Sequence, residues 1–498
     1  MSRDFNHLRD SFSYRPDIDG LRALAVLPVL LFHAGLGFPG GFVGVDIFFV
    51  ISGFLITSII IREIIDDRFT YRNFWERRIR RIFPPAMLVT LVTVIVGAWA
   101  LLPETYAALG KAAIAQLLMG ANFYFWQQDG YFAGPSDLEP LLHMWSLAVE
   151  EQFYLLFPFL LVLLCKRGAG LTYKLLVALT LASFAWSLYG VVHFQMATFY
   201  LLPARAWELF LGALLALLPL PVLRSTVGRS LLAVVGLALI VASFFLYGPS
   251  TPFPGLAALP PCLGTALLIY AHQSGSSPIA KVLCLSPVVF IGKISYSLYL
   301  WHWPLLVYGR HFSIHEMSLT MRVSLLVAAF VLSVLTWMFV ETPFRKRRFG
   351  KERKQLFRFF GIATVVLAGA FTFLYKSDGL PVRFQGDNAR FAEVNLETPD
   401  AKNLKDDFDE FLAILPDETE TSKSFLVWGD SHASRVVHLL RQLSKENGMN
   451  GYYACRHSTP PFLGVNVLPS DDTLAPFNDR VIKQIDQHEI KRVFLIGR

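Results

Sequence analysis

Charged residues are scarce in this 498-residue chain, at 17% of the total against roughly 25% in soluble globular proteins. That shortage, with 54% hydrophobic residues and a mean hydropathy of +0.46, excludes a water-soluble enzyme and points to long apolar runs that cross a bilayer. Cysteine is nearly absent. The four present, Cys165, Cys262, Cys284 and Cys455, show no close-spaced pattern, so neither a disulfide framework nor a metal site is expected. Acid is short as well, but unevenly. Residues 1–376 hold 31 Lys and Arg against 19 Asp and Glu, residues 377–423 hold 5 against 12, and residues 424–498 hold 9 against 7. A basic membrane part therefore precedes a small water-facing part. Membrane lipids are the expected surroundings, and no nucleic-acid partner is expected.

What is there is a series of apolar runs near 21–38, 42–61, 82–102, 144–164, 171–192, 204–220, 231–248, 255–271, 285–309, 320–341 and 357–375. A twelfth stretch, 112–126, is short and interrupted by Gln116, Gly120 and Asn122. The positive-inside rule decides whether it crosses. With the N-terminus in the cytoplasm, every Lys- and Arg-rich loop up to Arg345–Lys354 falls inside only if 112–126 does not span. Eleven spans are therefore expected, with a surface or re-entrant helix within 103–143 and the C-terminus outside. No A-x-A-like site flanks the first span, so no cleavable signal peptide is expected there.

Ionisable groups inside a membrane are costly and mark functional sites by default. The first span reads Asp19-Gly20-Leu21-Arg22, then ten residues, then His33. Eleven steps of helix rise roughly 16 Å, so Arg22 can sit at the inner surface while the imidazole lies well inside. Taken singly, Arg22 also fits a topology anchor and His33 a satisfied core histidine. Next comes Arg77-Arg78-Ile79-Arg80-Arg81, four arginines in five positions, more than orientation requires. Arginine makes planar bidentate contacts with phosphate, which suits a cytoplasmic phosphate-bearing ligand; anionic lipid headgroups are the plainer alternative.

A later span opens His143-Met144-Trp145-Ser146-Leu147-Ala148-Val149-Glu150-Glu151-Gln152-Phe153-Tyr154. On a helix His143, Ser146/Leu147, Glu150 and Tyr154 share one stripe, whereas Glu151 faces away from Glu150. Two adjacent carboxylates at a membrane edge must be buried or paired, one serving a reaction and the other an arginine. Asp46, Tyr296, His302 and Glu341 are further intramembrane candidates, and Arg205/Glu208 reads as a structural ion pair. The aromatics around His302 could equally be interfacial belt residues.

These stretches together resemble the acyltransferase-3 family of integral-membrane O-acyltransferases. The matching segments are Asp19–Arg22 with His33, Gly44–Ile56, Phe74–Pro84, Trp145–Tyr154, Tyr296–Pro304 and Glu341-Thr342-Pro343. The resemblance implies a polytopic α-helical membrane protein of about eleven transmembrane helices. These divide into a ten-helix acyltransferase core at 1–350 and one linking span at 351–376. It also implies acetyl-CoA as acyl donor, a carbohydrate hydroxyl as acceptor and an essential R-x10-H pair. Under it, Arg22, Arg77, Arg78, Arg80 and Arg81 hold the donor phosphates. The thin pantetheine arm threads upward and His33 acts as general base or acyl carrier. Glu150 or Glu151 orients or protonates it.

Residues 377–423 read as an acidic connector and 424–498 as the first part of a water-facing α/β domain. Ser424–Trp428 is a short apolar strand, Gly429-Asp430-Ser431-His432 a tight turn, and Ala433–Leu443 helix-like. A serine there sits near a helix N-terminus, where backbone N–H groups can stabilise an oxyanion; an ordinary Ser-capped turn is the simpler reading. Gly-Asp-Ser-His resembles the first block of the SGNH hydrolase family, with Ser431 as nucleophile, Gly464 as a candidate oxyanion donor and Lys491–Gly497 as a later strand. The Asp-x-x-His which that family uses to activate the serine does not follow. Only about 75 residues come after Ser424 where such a domain needs 100 or more, so the chain is expected to be part of a longer protein.

The leading expectation is a bacterial inner-membrane enzyme, N-terminus cytoplasmic and C-terminal domain periplasmic. It moves acetyl groups to a surface polysaccharide or lipid-linked oligosaccharide, with lipopolysaccharide O-antigen favoured. The alternatives are an exporter of acylated or small anionic compounds, and a peptidoglycan O-acetyltransferase whose SGNH part acts as an esterase.

Overall fold

The computed structural model describes residues 14–128, 136–273, 275–313, 316–384, 412–413, 424–429, 440, 450–455, 474–487, 490 and 492–496. The chain divides into two units, Met1–Leu380 and Pro381–Arg498.

In the first unit each expected apolar run coincides with a helix. In chain order these are α1 (Pro16–His33), α2 (Gly44–Ile65), α3 (Tyr71–Ala100), α4 (Pro103–Leu117), α5 (Ala121–Gln128), α6 (Met144–Cys165), α7 (Ala169–His193), α8 (Gln195–Tyr200), α9 (Leu202–Leu217), α10 (Thr226–Leu246), α11 (Leu259–Ala271), α12 (Pro278–Leu283), α13 (Ser286–His311), α14 (Leu319–Thr336), a π-helical turn at Trp337–Glu341, α15 (Thr342–Arg345) and α16 (Arg353–Lys376). Their starts obey local chemistry. Thr70, Ser225, Ser277 and Ser318 cap first turns by accepting a backbone N–H, and Pro16, Pro103 and Pro278 sit where a missing N–H costs nothing.

Among the described residues eight helices are long and apolar enough to cross a membrane, so this is a multi-pass membrane protein. The other three expected spans are the short segment 255–271, α1, which carries Asp17, Asp19 and Arg22, and α13, which carries Lys293, His302 and Arg310. The 112–126 stretch is split between α4 and α5, with Met119 at φ +58° ending the first helix. Neither is among the eight, and α4 packs on α16.

Two helix pairs set the positions of the buried polar side chains. α1 and α13 run alongside each other in the same direction, so closely that a Cβ on Gly292 would lie 1.8 Å from the Asp19 carbonyl oxygen. α2 and α9 pack through Gly53 and Gly212, each facing the partner's backbone at about the same closeness. Small residues are what let membrane helices approach to this distance.

The second unit holds a four-stranded sheet with strands β1 (Leu412–Ala413), β2 (Ser424–Gly429), β3 (Asn450–Cys455) and β4 (Arg492–Ile496), and one described helix, α17 (Leu474–Gln487). The order is β1-β3-β2-β4. The central β2 is parallel to β3 and β4, and β1 is antiparallel to β3. Leu426, Trp428, Ala454, Val481 and Ile490 form its core. The expected strands at 424–428 and 491–497 are thus β2 and β4. Ser431, Gly464 and most of 433–443 lie outside the described residues.

Candidate active site

The parallel run of α1 beside α13 brings His33, the last residue of α1, to His302. Their rings stack at 5.2 Å between centroids, and His33 Nδ1 lies 3.0 Å from His302 Nε2. The second nitrogen of His302, Nδ1, is 2.6 Å from the Tyr299 carbonyl oxygen. A carbonyl only accepts, so in the neutral ring His302 Nδ1 carries the proton and Nε2 presents a lone pair. His33 Nδ1–H then donates to it, which leaves His33 Nε2 as the unprotonated nitrogen. The orienting group is a backbone carbonyl acting through a second imidazole. Trp303 packs edge-on against His33 at 4.6 Å, and Arg310 donates to the His33 carbonyl at 2.6 Å. His143 closes the cluster: its ring meets His302 edge-on at 5.8 Å and its Nε2 donates to the Leu300 carbonyl at 3.1 Å.

Two cavities meet at Arg22 of α1. A narrow one, about 80 Å³, is lined by Arg22, Ser52, Arg78, Arg81, Ser146, Glu150, Glu151, Tyr154, Ser295, Tyr296 and Tyr299 among apolar side chains. A wide one, about 630 Å³, is lined by Arg15, Arg22, Arg62, Arg81, Lys293, Arg345 and Lys346, with Asp19 its one acid. Arg22, Leu55 and Arg81 border both. Tyr299 joins the narrow cavity to the histidines, because its hydroxyl meets Ser146 Oγ at 2.8 Å and the His143 carbonyl at 3.1 Å while its own carbonyl holds His302. Ser295, Tyr299 and His302 recur at helical spacing, which is why one face of α13 serves both places.

The structure sorts the expected arginines. Arg78 and Arg81 border the narrow cavity, as Arg22 does, but Arg77 and Arg80 do not. Arg77 pairs with Glu63 at 2.7 Å. Arg80 is fully buried, pairs with Glu76 at 2.9 Å and donates to the carbonyls of Phe344, Phe349 and Gly350. Its expected place on donor phosphates is therefore corrected to tying α3 to α15 and the chain just after it. The carboxylates differ from expectation too. Glu150 accepts from Ser52 and from Tyr154, and Glu151 borders the same cavity instead of facing away. Among the described residues neither glutamate hydrogen-bonds to His33 or pairs with an arginine. The partner of His33 is His302, whose alternative as a belt residue fails because it is wholly buried.

Asp46 lines neither cavity. Arg205 Nη2 reaches it at 3.1 Å and Arg205 Nη1 reaches Glu208 at 3.1 Å, all fully buried, which makes Asp46 part of the expected Arg205/Glu208 structural pair. Tyr296 donates to the Ile82 carbonyl at 2.9 Å. Glu341, in the π turn, accepts from Ser297 at 3.3 Å and pairs with Arg345 at 3.5 Å. Sequence reasoning missed Ser52, Tyr299, Arg310 and Lys293. The available signal was polarity inside apolar runs, as in Ile51-Ser52-Gly53 and Lys293 within α13.

Residues 15–340 match the acyltransferase domain family, and residues 399–498 match the SGNH domain found fused to such domains. The chain belongs to the acyltransferase-3 family. It is 31% identical over 368 residues to O-acetyltransferase OatA of Staphylococcus aureus, 70% of this chain and 60% of that protein. It is 32% identical over 426 residues to peptidoglycan O-acetyltransferase OatA of Listeria monocytogenes, 79% of this chain and 68% of that one. The chain thus spans less than two thirds of the first relative's length. No solved structure matches it.

Proposed function

We propose that the chain is an O-acetyltransferase that takes an acetyl group from acetyl-CoA on the cytoplasmic side and passes it to a hydroxyl of a cell-wall glycan on the other. The observation that carries this reading is the His33–His302 pair, which leaves His33 Nε2 unprotonated and is linked through Tyr299 to a cavity that shares Arg22 and Arg81 with a wide cationic one. Peptidoglycan is the favoured acceptor in place of lipopolysaccharide O-antigen, because the relative from Listeria bears peptidoglycan in its name.

In this mechanism the wide vestibule takes the nucleotide phosphates. Seven cations against one acid focus negative charge there, and arginine suits phosphate geometry. The acyl arm extends through the narrow cavity toward Tyr299. His33 Nε2 removes the proton of the acceptor hydroxyl as its oxygen attacks the thioester carbonyl carbon. Collapse of the tetrahedral intermediate breaks the C–S bond, and the thiolate takes the proton back from His33. The products are the acetyl ester and the free thiol. The Lys and Arg distribution supports a cytoplasmic N-terminus, with the chain after α16 on the acceptor side. The SGNH unit there would shape which glycan hydroxyl is presented as acceptor.

The test follows labelled acetyl from acetyl-CoA into glycan in membranes carrying the protein. His33→Ala should insert and still bind CoA but transfer no acetyl. Full activity in that variant would overturn the mechanism, and glycan labelling that needs no CoA thioester would favour an exporter.

A further inference from the structure

Three buried polar atoms without any hydrogen-bond partner belong to residues that line the narrow cavity: Arg78 Nε, Glu151 Oε2 and Ser295 Oγ. Glu151 is 7% exposed and Ser295 0%. Buried polar groups are normally satisfied, and exceptions mark places where a partner is to be supplied. The three differ in character. Arg78 Nε can only donate, the Glu151 oxygen accepts, and the serine hydroxyl does both. On residues that line one slot, they match a group that offers an N–H and a C=O together. The other walls include Val45, Phe48, Phe49, Ile51 and Leu55, which suit methylenes. The slot holds about 80 Å³ against about 630 Å³ in the vestibule, so its occupant is slim.

We infer that the narrow cavity is an amide-recognition subsite. Glu151 accepts the N–H and Arg78 donates to the C=O of a secondary amide in the arm carrying the acyl thioester, and Ser295 bonds a second polar group of that arm. The inference rests on the thioester donor proposed above and narrows it to the pantetheine class, whether borne on CoA or on a carrier protein. Amide-free acyl donors lack the groups this slot recognises.

The experiment uses the full chain purified into lipid nanodiscs with acetyl-CoA, acetylated carrier protein, S-acetyl-pantetheine and the amide-free S-acetyl-mercaptoethanol as donors. Glu151→Leu and Ser295→Ala should each raise KM for acetyl-CoA and S-acetyl-pantetheine by the same factor, about tenfold for one lost hydrogen bond to a charged or buried group. Transfer from S-acetyl-mercaptoethanol should not change. Glu151→Gln keeps an acceptor and should recover most of the loss. Ser295→Ala removes one oxygen, and thermal melts check that both it and the Glu151 variants remain folded. A carrier protein that replaces CoA with the same variant response confirms the subsite and reassigns the arm's source. Equal losses with the amide-free donor, or unchanged KM with every donor, overturn it. If Arg81→Ala weakens acetyl-CoA while the Glu151 and Ser295 variants do not, the subsite is wrong and the donor reading survives. If no thioester supports transfer, both fall.

Discussion

Replacing His302 with leucine tests the core of the site most sharply. The substitution keeps an apolar, similarly sized side chain but removes the acceptor 3.0 Å from His33 Nδ1. Two losses result. In the resting state His33 no longer has its tautomer fixed, so Nε2 carries the proton part of the time. When His33 becomes imidazolium during transfer, Nδ1–H has no acceptor in a place from which water is largely excluded. A hydrogen bond to a charged group contributes about 1.5–3 kcal/mol, or roughly 10- to 150-fold in rate at 1.4 kcal/mol per factor of ten. The expected result is a kcat for acetyl transfer from acetyl-CoA lower by about 100-fold, with donor KM unchanged because the vestibule cations are untouched. His302→Gln restores an acceptor without a ring and should recover part of the rate. The measurement is initial-rate kinetics in nanodiscs, with thermal melts to exclude unfolding. A kcat within twofold of the unmodified protein would refute the pairing, as would a loss confined to KM.

The packing leads to four other expected outcomes. Arg81→Ala should raise donor KM about tenfold, one charge-assisted contact, and leave the melting temperature alone; Arg80→Ala should instead destabilise by about 1–3 kcal/mol, since the carbonyls of Phe344, Phe349 and Gly350 lose their donor while Glu76 keeps Arg347 and Arg353, seen as a lower melting temperature in detergent. Arg205→Met should destabilise by ~3–5 kcal/mol because it leaves Asp46 and Glu208 facing each other in an apolar core, and the Asp46→Asn, Glu208→Gln background should relieve most of that loss. Gly292→Val places atoms where the Asp19 carbonyl lies 1.8 Å from the Cβ position, so it should part α1 from α13 and abolish transfer, read by acetyl labelling of glycan beside a western blot for insertion.

Much of the architecture was legible because a membrane imposes it. Every expected apolar run became a helix, and 112–126, interrupted by Gln116, Gly120 and Asn122, is split between α4 and α5. The strand before Gly429 was legible for a similar reason, as four apolar residues, Phe425 to Trp428, ahead of a Gly-Asp pair. The site was legible in composition but not in pairing. Arg22, Glu150, Tyr154 and Tyr296, singled out by intramembrane polarity, border one cavity and His33 meets His302, but the identity of such partners was not deducible from polarity. His33 and His302 are 269 residues apart. Arg80 looks in sequence like its neighbour Arg81, yet one step around α3 sends it to carbonyls more than 260 residues away while Arg81 borders the channel. Helical periodicity shows which residues share a face and is silent on what that face meets.

The histidine pair that ends on the Tyr299 carbonyl contains no carboxylate and no resident charge, and this bears on the energetics of the whole cell membrane. Under the proposed mechanism an acetyl group leaves for the outer side as the hydroxyl hydrogen returns inward on the thiol. The two moves are opposite in direction and equal in formal charge, so the complete turnover is electroneutral. A fixed carboxylate at His302 would have left the resting site charged. As built, the final extent of acetylation at equilibrium should be the same in vesicles with and without an imposed voltage, and a dissipated membrane potential should not stop the transfer.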